Sequence, residues 1–79
     1  MKTAVEISMY PLNADYEPPI LDFIRRLNEH PNLQVETNRL STQIFGEYDE
    51  IMAALQREIR VSFQQGNTVS MVLKVLNVG

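Results

Sequence analysis

The residues best suited to chemistry stand where a short apolar run meets an acidic segment. Gly46 and Glu47 end this run, and Asp49 and Glu50 follow almost directly. A glycine at a strand end lets another group approach closely, so the neighbouring carboxylate could contact a ligand. Asp49 and Glu50 instead suit the start of a helix, where negative charge is stabilising. Glu47 therefore has two interpretations, a ligand contact or a solvent-exposed carboxylate.

The chain lacks the residue sets on which common catalytic and metal sites depend. It has no cysteine and a single histidine, His30, which excludes thiolate chemistry and a histidine-based metal site. Its three glycines are scattered and form no phosphate-binding loop. His30 precedes a proline at the expected end of a helix, where a positive charge is favourable. We therefore expect a protein that is not an enzyme and holds neither a metal nor a cofactor.

Hydrophobic periodicity divides the chain into six elements. Apolar residues at alternating positions predict strands over residues 3–10 and 33–38. A short run with the composition of a strand predicts a third over residues 42–47, and a run that is apolar on both faces predicts a fourth over residues 68–76. Apolar residues three and four positions apart predict helices over residues 18–29 and 49–65. Asp15 and Asp49 are the expected N-caps of the two helices.

The element order β-α-β-β-α-β predicts a ferredoxin-like α+β sandwich. Two right-handed β-α-β units joined by a hairpin give a four-stranded antiparallel sheet with both helices on one face. The expected strand order is 4-1-3-2, and residues 1–79 are expected to form one domain. The other sheet face would be a mixture of polar and apolar side chains. Because so small a domain has a marginal core, we expect a homodimer or homotetramer formed through sheet faces or edges.

Polar residues near the strand ends separate into two groups, because the first and third strands run antiparallel. The groups are Ser8, Tyr10, Asn38 and Thr42 at one end of the sheet, and Glu6, Glu47 and Tyr48 at the other. Each group is either a binding site or ordinary polar surface. A tyrosine on a sheet face serves packing more often than recognition.

Charge and hydropathy argue against several kinds of partner. The seven basic and ten acidic residues give a net charge of −3, which is atypical of a nucleic-acid-binding protein. The one basic pair, Arg25 and Arg26, is expected on a solvated helix face. No apolar run approaches the ~20 residues of a membrane span. The first residues include Glu6 and have no long apolar core, so we expect no signal peptide and a cytoplasmic location.

Residues 6–12 and 41–50 resemble the small thiamine-binding proteins of the YkoF-like superfamily. In that family a strand ends in Pro-Leu, and a later strand reads Gly-Thr-x-Ile-x-Gly-Glu before the second helix. The matching positions here are Pro11, Leu12, Thr42, Ile44, Gly46 and Glu47. Ser41 replaces the glycine of that motif, and Phe45 replaces a frequent acid. The resemblance extends over essentially the whole chain.

The resemblance implies a ferredoxin-like oligomer that binds thiamine, or its hydroxymethylpyrimidine part, without catalysis. An aminopyrimidine needs a stacking surface, an acceptor for its amino group and a donor. The candidates are Phe45, Tyr10 or Tyr48 for stacking, Glu47 as acceptor, and Thr42, Ser8 or Asn38 as donors. Thr42 and Glu47 are the leading candidates, because both match the family motif.

Three functions remain open on this basis. The first is non-catalytic binding of thiamine or a related pyrimidine, in thiamine uptake or salvage. The second is a structural or regulatory homo-oligomeric assembly module without a small-molecule ligand. The third, a small enzyme, has the least support because the sequence has neither an activated nucleophile nor a metal-binding set.

Overall fold

The computed structural model describes all residues from 1 to 79. Its strands are β1 (Lys2–Pro11), β2 (Gln34–Thr37), β3 (Thr42–Glu47) and β4 (Val69–Asn77), and its helices are α1 (Glu17–Asn28) and α2 (Tyr48–Phe63). The strands form one sheet in the order β2-β3-β1-β4, in which every neighbouring pair is antiparallel. Both helices pack on the same face of this sheet. The structure confirms the ferredoxin-like α+β sandwich and the strand order predicted from the sequence.

The central strand β1 pairs over more of its residues with β4 than with β3. It pairs with β3 from Lys2, opposite Glu47, to Ile7, opposite Thr42. It pairs with β4 as far as Pro11, opposite Val69. The last part of β1, residues 8–11, therefore has a strand partner on the β4 side only.

The core lies between the sheet and the helices. The buried cluster consists of Val5 and Ile7 of β1, Ile44 of β3, Phe23 and Leu27 of α1, and Ile51 and Leu55 of α2. These residues confirm the apolar faces predicted for the strands and for most of both helices. Burying one such side chain contributes about 1.5–3 kcal/mol, so this cluster is the main stabilising element of a small domain.

The apolar stripe that predicts the second helix ends at Phe63. The burial expected from this stripe is wrong at Phe63, because this residue is 55% exposed. Each residue advances about 100° around an α-helix, so Phe63 is rotated about 120° from Ile51. Ser62 is rotated by only about 20°, and it is buried instead. The four-residue spacing from Ile51 to Phe63 thus drifts off the core face over the length of α2.

The predicted N-caps are also wrong. Tyr16 occupies the N-cap position of α1, and Glu47 occupies that of α2. Neither side chain makes a capping hydrogen bond. Helix α2 begins directly after β3, which places Asp49 inside its first turn, where a negative charge complements the helix dipole.

Gly46 allows a close approach between β3 and the segment before β2. A Cβ atom at this position would lie 3.3 Å from the main-chain oxygen of Asn32 and 3.3 Å from Cδ2 of Leu33. The absence of a side chain therefore permits the contact, as the sequence interpretation of this glycine proposed.

Candidate functional site

A cavity of about 460 Å³ opens at the end of the sheet where β1 finishes. Its walls are the last residues of β1, the start of α1 and the loop between β2 and β3. It forms because β1 continues past the first residue of β3 and leaves a gap beside the loop. Its volume is within the range typical of small-molecule sites.

Four of the sequence-predicted residues line this cavity. They are Ser8, Tyr10, Asn38 and Thr42, the first of the two groups expected at the sheet ends. Thr42 is buried, and its hydroxyl oxygen lies 3.2 Å from Oγ1 of Thr37. Tyr10 is exposed at the rim, where its ring is accessible. The arrangement brings hydroxyl groups, an amide and an aromatic ring to one cavity.

Asn38 has a structural role in addition to its place in the wall. Its Oδ1 accepts hydrogen bonds from the main-chain N–H groups of Leu40, at 2.8 Å, and Ser41, at 3.0 Å. These bonds hold the loop between β2 and β3 in an Asx-type turn. The side-chain carbonyl is therefore occupied, whereas the NH₂ group remains available to donate to a ligand.

Sequence reasoning missed the apolar part of the cavity. Ile20 and Ile24 of α1 form one wall, and Tyr16 lies beside them just before the helix. Ile20 and Ile24 have the spacing of a helix stripe that faces the core, and Tyr16 carried no signal other than its ring. Only the packing of α1 against the end of β1 makes these residues cavity walls.

The cavity contains one charged lining residue, Arg39, and no carboxylate. A cationic ring inside the cavity would have no ionic partner there. A neutral ring with hydrogen-bonding edges suits this lining better, since buried charges require a partner. A negatively charged substituent would find Arg39 at the loop.

Glu47 and Tyr48 lie at the opposite end of β3 from Thr42. The two ends of this strand are separated by about 17 Å, so Thr42 and Glu47 do not meet in one site. The Glu47 carboxylate lies 2.7 Å from the N-terminal amine of Met1 and 3.1 Å from Nζ of Lys2. The hydrogen bond from this amine, followed by that from Lys2, lowers the pKa of Glu47 below its usual value.

Phe45 belongs to a third place, on the sheet face that the helices leave open. A shallow depression of about 250 Å³ there is lined by Phe45 together with Glu6 and Lys74. The expected grouping of Glu6 with Glu47 is wrong, because Glu6 lies opposite Gln43 in the middle of the sheet. Its carboxylate accepts a hydrogen bond from the Ser41 hydroxyl at 3.0 Å.

A network of charged residues lies between the helices. The predicted solvated position of Arg26 is wrong: Arg26 is buried, and its Nη1 donates to Oε1 of Glu58 at 2.7 Å. Its Nη2 donates to Oγ of Ser62 at 2.6 Å, and its Nε donates to Oδ2 of Asp22 at 2.9 Å. Nε2 of His30 lies 2.7 Å from Oε2 of Glu58. The network joins α1 to α2 and takes no part in the cavity wall.

The carboxylates of this network titrate at lower pH than usual. Burial alone would raise the pKa of Glu58, but hydrogen bonds and charges of His30 and Arg26 outweigh this effect and lower it. Hydrogen bonds from Gln65, Arg26 and Arg25 lower the pKa of Asp22 to about 2. Every buried side-chain nitrogen and oxygen has a hydrogen-bond partner. These features describe a stabilising network.

Two further kinds of site are not observed. No group of three or more His, Cys, Asp or Glu side chains is arranged to hold a metal ion. Neither helix combines the length and apolar character required to cross a membrane.

Several solved structures are similar to this chain over nearly its whole length. A hypothetical protein of Methanocaldococcus jannascii is 26% identical, with a TM-score of 0.84 over 99% of this chain and 81% of that protein. A Streptococcus pneumoniae protein is 26% identical, with a TM-score of 0.83 over 100% of this chain and 88% of that protein. No curated protein matches the chain.

A third structure shares the fold at lower identity. This Thermotoga maritima protein, described under thiamine biosynthesis or salvage, is 22% identical, with a TM-score of 0.86 over 98% of this chain and 84% of that protein. The model of one sequence family, described as thiamine-binding protein, matches residues 5–77. Since this match extends over nearly the whole chain and includes every residue of the cavity wall, the chain belongs to the thiamine-binding protein family.

Proposed function

We propose that this protein binds thiamine or its hydroxymethylpyrimidine part in the cavity at the end of β1, and that it does so without catalysing a reaction. One observation carries the proposal. In a member of the thiamine-binding family, hydroxyl and amide groups converge with apolar and aromatic side chains on one cavity of small-molecule size.

The pyrimidine ring is the part of the ligand that suits the cavity interior. It is aromatic and largely neutral, which agrees with a lining free of carboxylates. Tyr10 offers a ring for stacking at the rim, and the Asn38 NH₂ group with the hydroxyls of Ser8 and Thr42 offers donors. The cationic thiazolium would then lie toward solvent at the cavity mouth.

The other sequence-predicted contacts have a different place in this proposal. Glu47, Tyr48 and Phe45 lie outside the cavity of their own subunit, so we assign them no direct contact with a pyrimidine bound there. We further propose that the protein acts in thiamine uptake or salvage in the cytoplasm. This role agrees with its membership of the thiamine-binding family.

Calorimetric and thermal-shift titrations with thiamine, hydroxymethylpyrimidine and thiamine phosphates test this function. A ligand at ~100 times its dissociation constant stabilises the fold by about 2.7 kcal/mol, which raises the melting temperature by several degrees. Asn38→Asp keeps the turn-forming acceptor and removes the NH₂ donor, so we expect weaker binding of neutral hydroxymethylpyrimidine. Glu47→Gln lies outside the cavity and is the control, so it should bind normally. The absence of any shift with all compounds would reject the proposed ligand class.

A second candidate function, homo-oligomeric assembly, is favoured by strand β4. This edge strand exposes apolar side chains on both of its faces, with Val72 58% and Leu76 56% exposed on the open face, and Leu73 and Val75 exposed on the other. Such a surface is typical of an interface. We propose a dimer or tetramer formed through β4, either accompanying ligand binding or, if no pyrimidine binds, as the function itself.

Sedimentation equilibrium tests the assembly. The wild-type protein should be a dimer or tetramer, and Val72→Lys should shift it toward the monomer by placing a charge in the interface. Gln34→Lys, at an exposed position on the far edge strand β2, makes the same change in charge and is the control. A monomeric wild-type protein at tens of micromolar would exclude assembly as a function.

A further inference from the structure

The cavity wall includes a piece of β1 whose main-chain groups have no strand partner. Alternate residues of a strand direct their N–H and C=O groups to opposite neighbours. Lys2 accepts from Val78 and Leu12 donates to Thr68, both on the β4 side, so even-numbered residues of β1 face β4. Odd-numbered residues face β3, and the last of them with a β3 partner is Ile7.

Met9 is the next residue that faces the β3 side. If the pairing of β1 with β3 continued, the residue opposite Met9 would be Leu40. Leu40 lies in the loop before β3 and not in the strand. The N–H of Leu40 donates to Oδ1 of Asn38, and the loop's own main-chain bond joins Asn38 to Ser41. The Met9 N–H and C=O therefore point into the gap beside β3 without a protein partner.

This pair of groups is an unusual feature of the domain. Unpaired main-chain groups away from bulk water are rare in folded proteins, and those that occur are satisfied by water or by a ligand. Met9 is half-buried, and it lines the same cavity as Ser8, Asn38 and Thr42. The asymmetric pairing of β1 thus presents one donor and one acceptor, on the same residue, to whatever occupies the cavity.

We propose that the main-chain N–H and C=O of Met9 recognise the ligand by pairing with an aromatic ring nitrogen and the amino group next to it. The ring nitrogen accepts from the Met9 N–H, and the amino group donates to the Met9 C=O. The ligand's edge takes the place that a residue of β3 would have occupied. This inference rests on the proposed function and adds the group that selects an aminopyrimidine over other flat rings.

The protein would select an aminopyrimidine because a ring of another kind leaves a main-chain group of Met9 without a hydrogen bond. A ring without the amino group leaves the Met9 C=O buried and without a hydrogen bond. A site with a fixed donor and acceptor rejects such an analogue more strongly than an apolar pocket rejects a change in size. Side-chain substitutions do not alter this selectivity, because the groups belong to the main chain.

A comparison of two ligands with the wild-type protein tests the acceptor. Calorimetry is carried out with 4-amino-5-hydroxymethyl-2-methylpyrimidine and with the same compound lacking the 4-amino group. We expect the second to bind at least about tenfold more weakly, since the Met9 C=O loses its partner. Equal affinity for the two compounds would overturn the inference.

Amide hydrogen exchange tests the donor directly. Without ligand, the Met9 amide should exchange much faster than the amide of Ile7, which is paired with β3. Saturating aminopyrimidine should slow the Met9 amide by at least about tenfold and leave Ile7 nearly unchanged, because only Met9 gains a partner. An unchanged Met9 amide in the saturated protein would also overturn the inference.

A pair of variants gives an independent measure of the donor. Met9→Pro removes an N–H that donates to no group of the chain, and Met9→Leu keeps it with a side chain of similar size. We expect folded Met9→Pro to bind the aminopyrimidine at least about tenfold more weakly than Met9→Leu, because only the proline variant lacks the main-chain donor. If Met9→Pro does not fold, the ligand comparison and the exchange measurement decide.

Failure of this inference and failure of the proposed function give different results. If no compound binds to the wild-type protein, the proposed function is wrong and the inference falls with it. If the aminopyrimidine binds but the amino group and the Met9 amide have no effect, the function stands and the recognition by Met9 is wrong.

Discussion

Replacement of Glu58 by glutamine should destabilise the domain more than most single changes. The Glu58 carboxylate accepts from Arg26 at 2.7 Å and lies 2.7 Å from Nε2 of His30. The variant keeps the shape of the side chain but removes its charge. Arg26 would remain buried, with its charge balanced only by Asp22.

The magnitude follows from these contacts. A hydrogen bond to a charged group contributes about 1.5–3 kcal/mol, and breaking a buried ion pair costs about 3–5 kcal/mol. Because Asp22 and Ser62 still bind Arg26, we expect a loss of about 3 kcal/mol, at the lower end of the second range. For a domain of this size the melting temperature should fall by about 12–24 °C.

Urea unfolding followed by circular dichroism measures this loss. The midpoint should fall while the slope stays constant, since the surface exposed on unfolding is unchanged. Arg57→Gln is the matched control, because its Nε lies 3.9 Å from Glu58 Oε2 and its side chain is 78% exposed. That control should change stability by less than about 0.5 kcal/mol. A loss of less than about 1 kcal/mol for Glu58→Gln would refute the stabilising role of the network.

Three further predictions concern the charged network, Gly46 in β3 and the cavity wall. The pKa values of Asp22 and Glu58 are lowered in the folded state, so their stabilisation is complete above the usual values of 3.8 and 4.5. It is lost as the pH falls through the lowered folded-state pKa values, of which that of Asp22 is about 2; urea midpoints that stay constant from pH 5 to about pH 2 would contradict this. Gly46→Ala should cost about 1–2 kcal/mol in urea unfolding, since the new methyl group meets the main chain of Asn32; an unchanged midpoint would disprove the close contact. Thr42→Val should lose about 1 kcal/mol and weaken pyrimidine binding, because it removes a buried hydroxyl from the cavity wall; unaltered calorimetric affinity would remove Thr42 from the site.

The local patterns of the sequence were sufficient for the fold. Alternation in β1 and the spacing of Phe23 and Leu27 in α1 indicated which side chains face the core, because burial of apolar surface dominates these choices. The element order then restricted the topology, since β-α-β crossovers are right-handed. Errors appeared where the apolar spacing continued beyond the part of an element that packs on the core, as at Phe63 on the last turn of α2.

The candidate site was predictable only in part. The antiparallel arrangement of β1 and β3 correctly separated Thr42 from Glu47 and placed Thr42 near Ser8, Tyr10 and Asn38. The family motif, in contrast, favoured Thr42 and Glu47 together, because a motif marks positions along a chain without their distance in space. Glu47 instead lies beside Lys2 at the far end of the sheet.

The sequence by itself determined the elements, their order and the family, because these follow from local periodicity and short motifs. Tertiary structure decided the burial of Arg26, whose partner Glu58 lies 32 positions away along the chain. It also decided the cavity, which exists because β1 pairs to its last residue with β4 but only as far as Ile7 with β3. Such a register depends on where separate segments meet, and no local pattern contains that information.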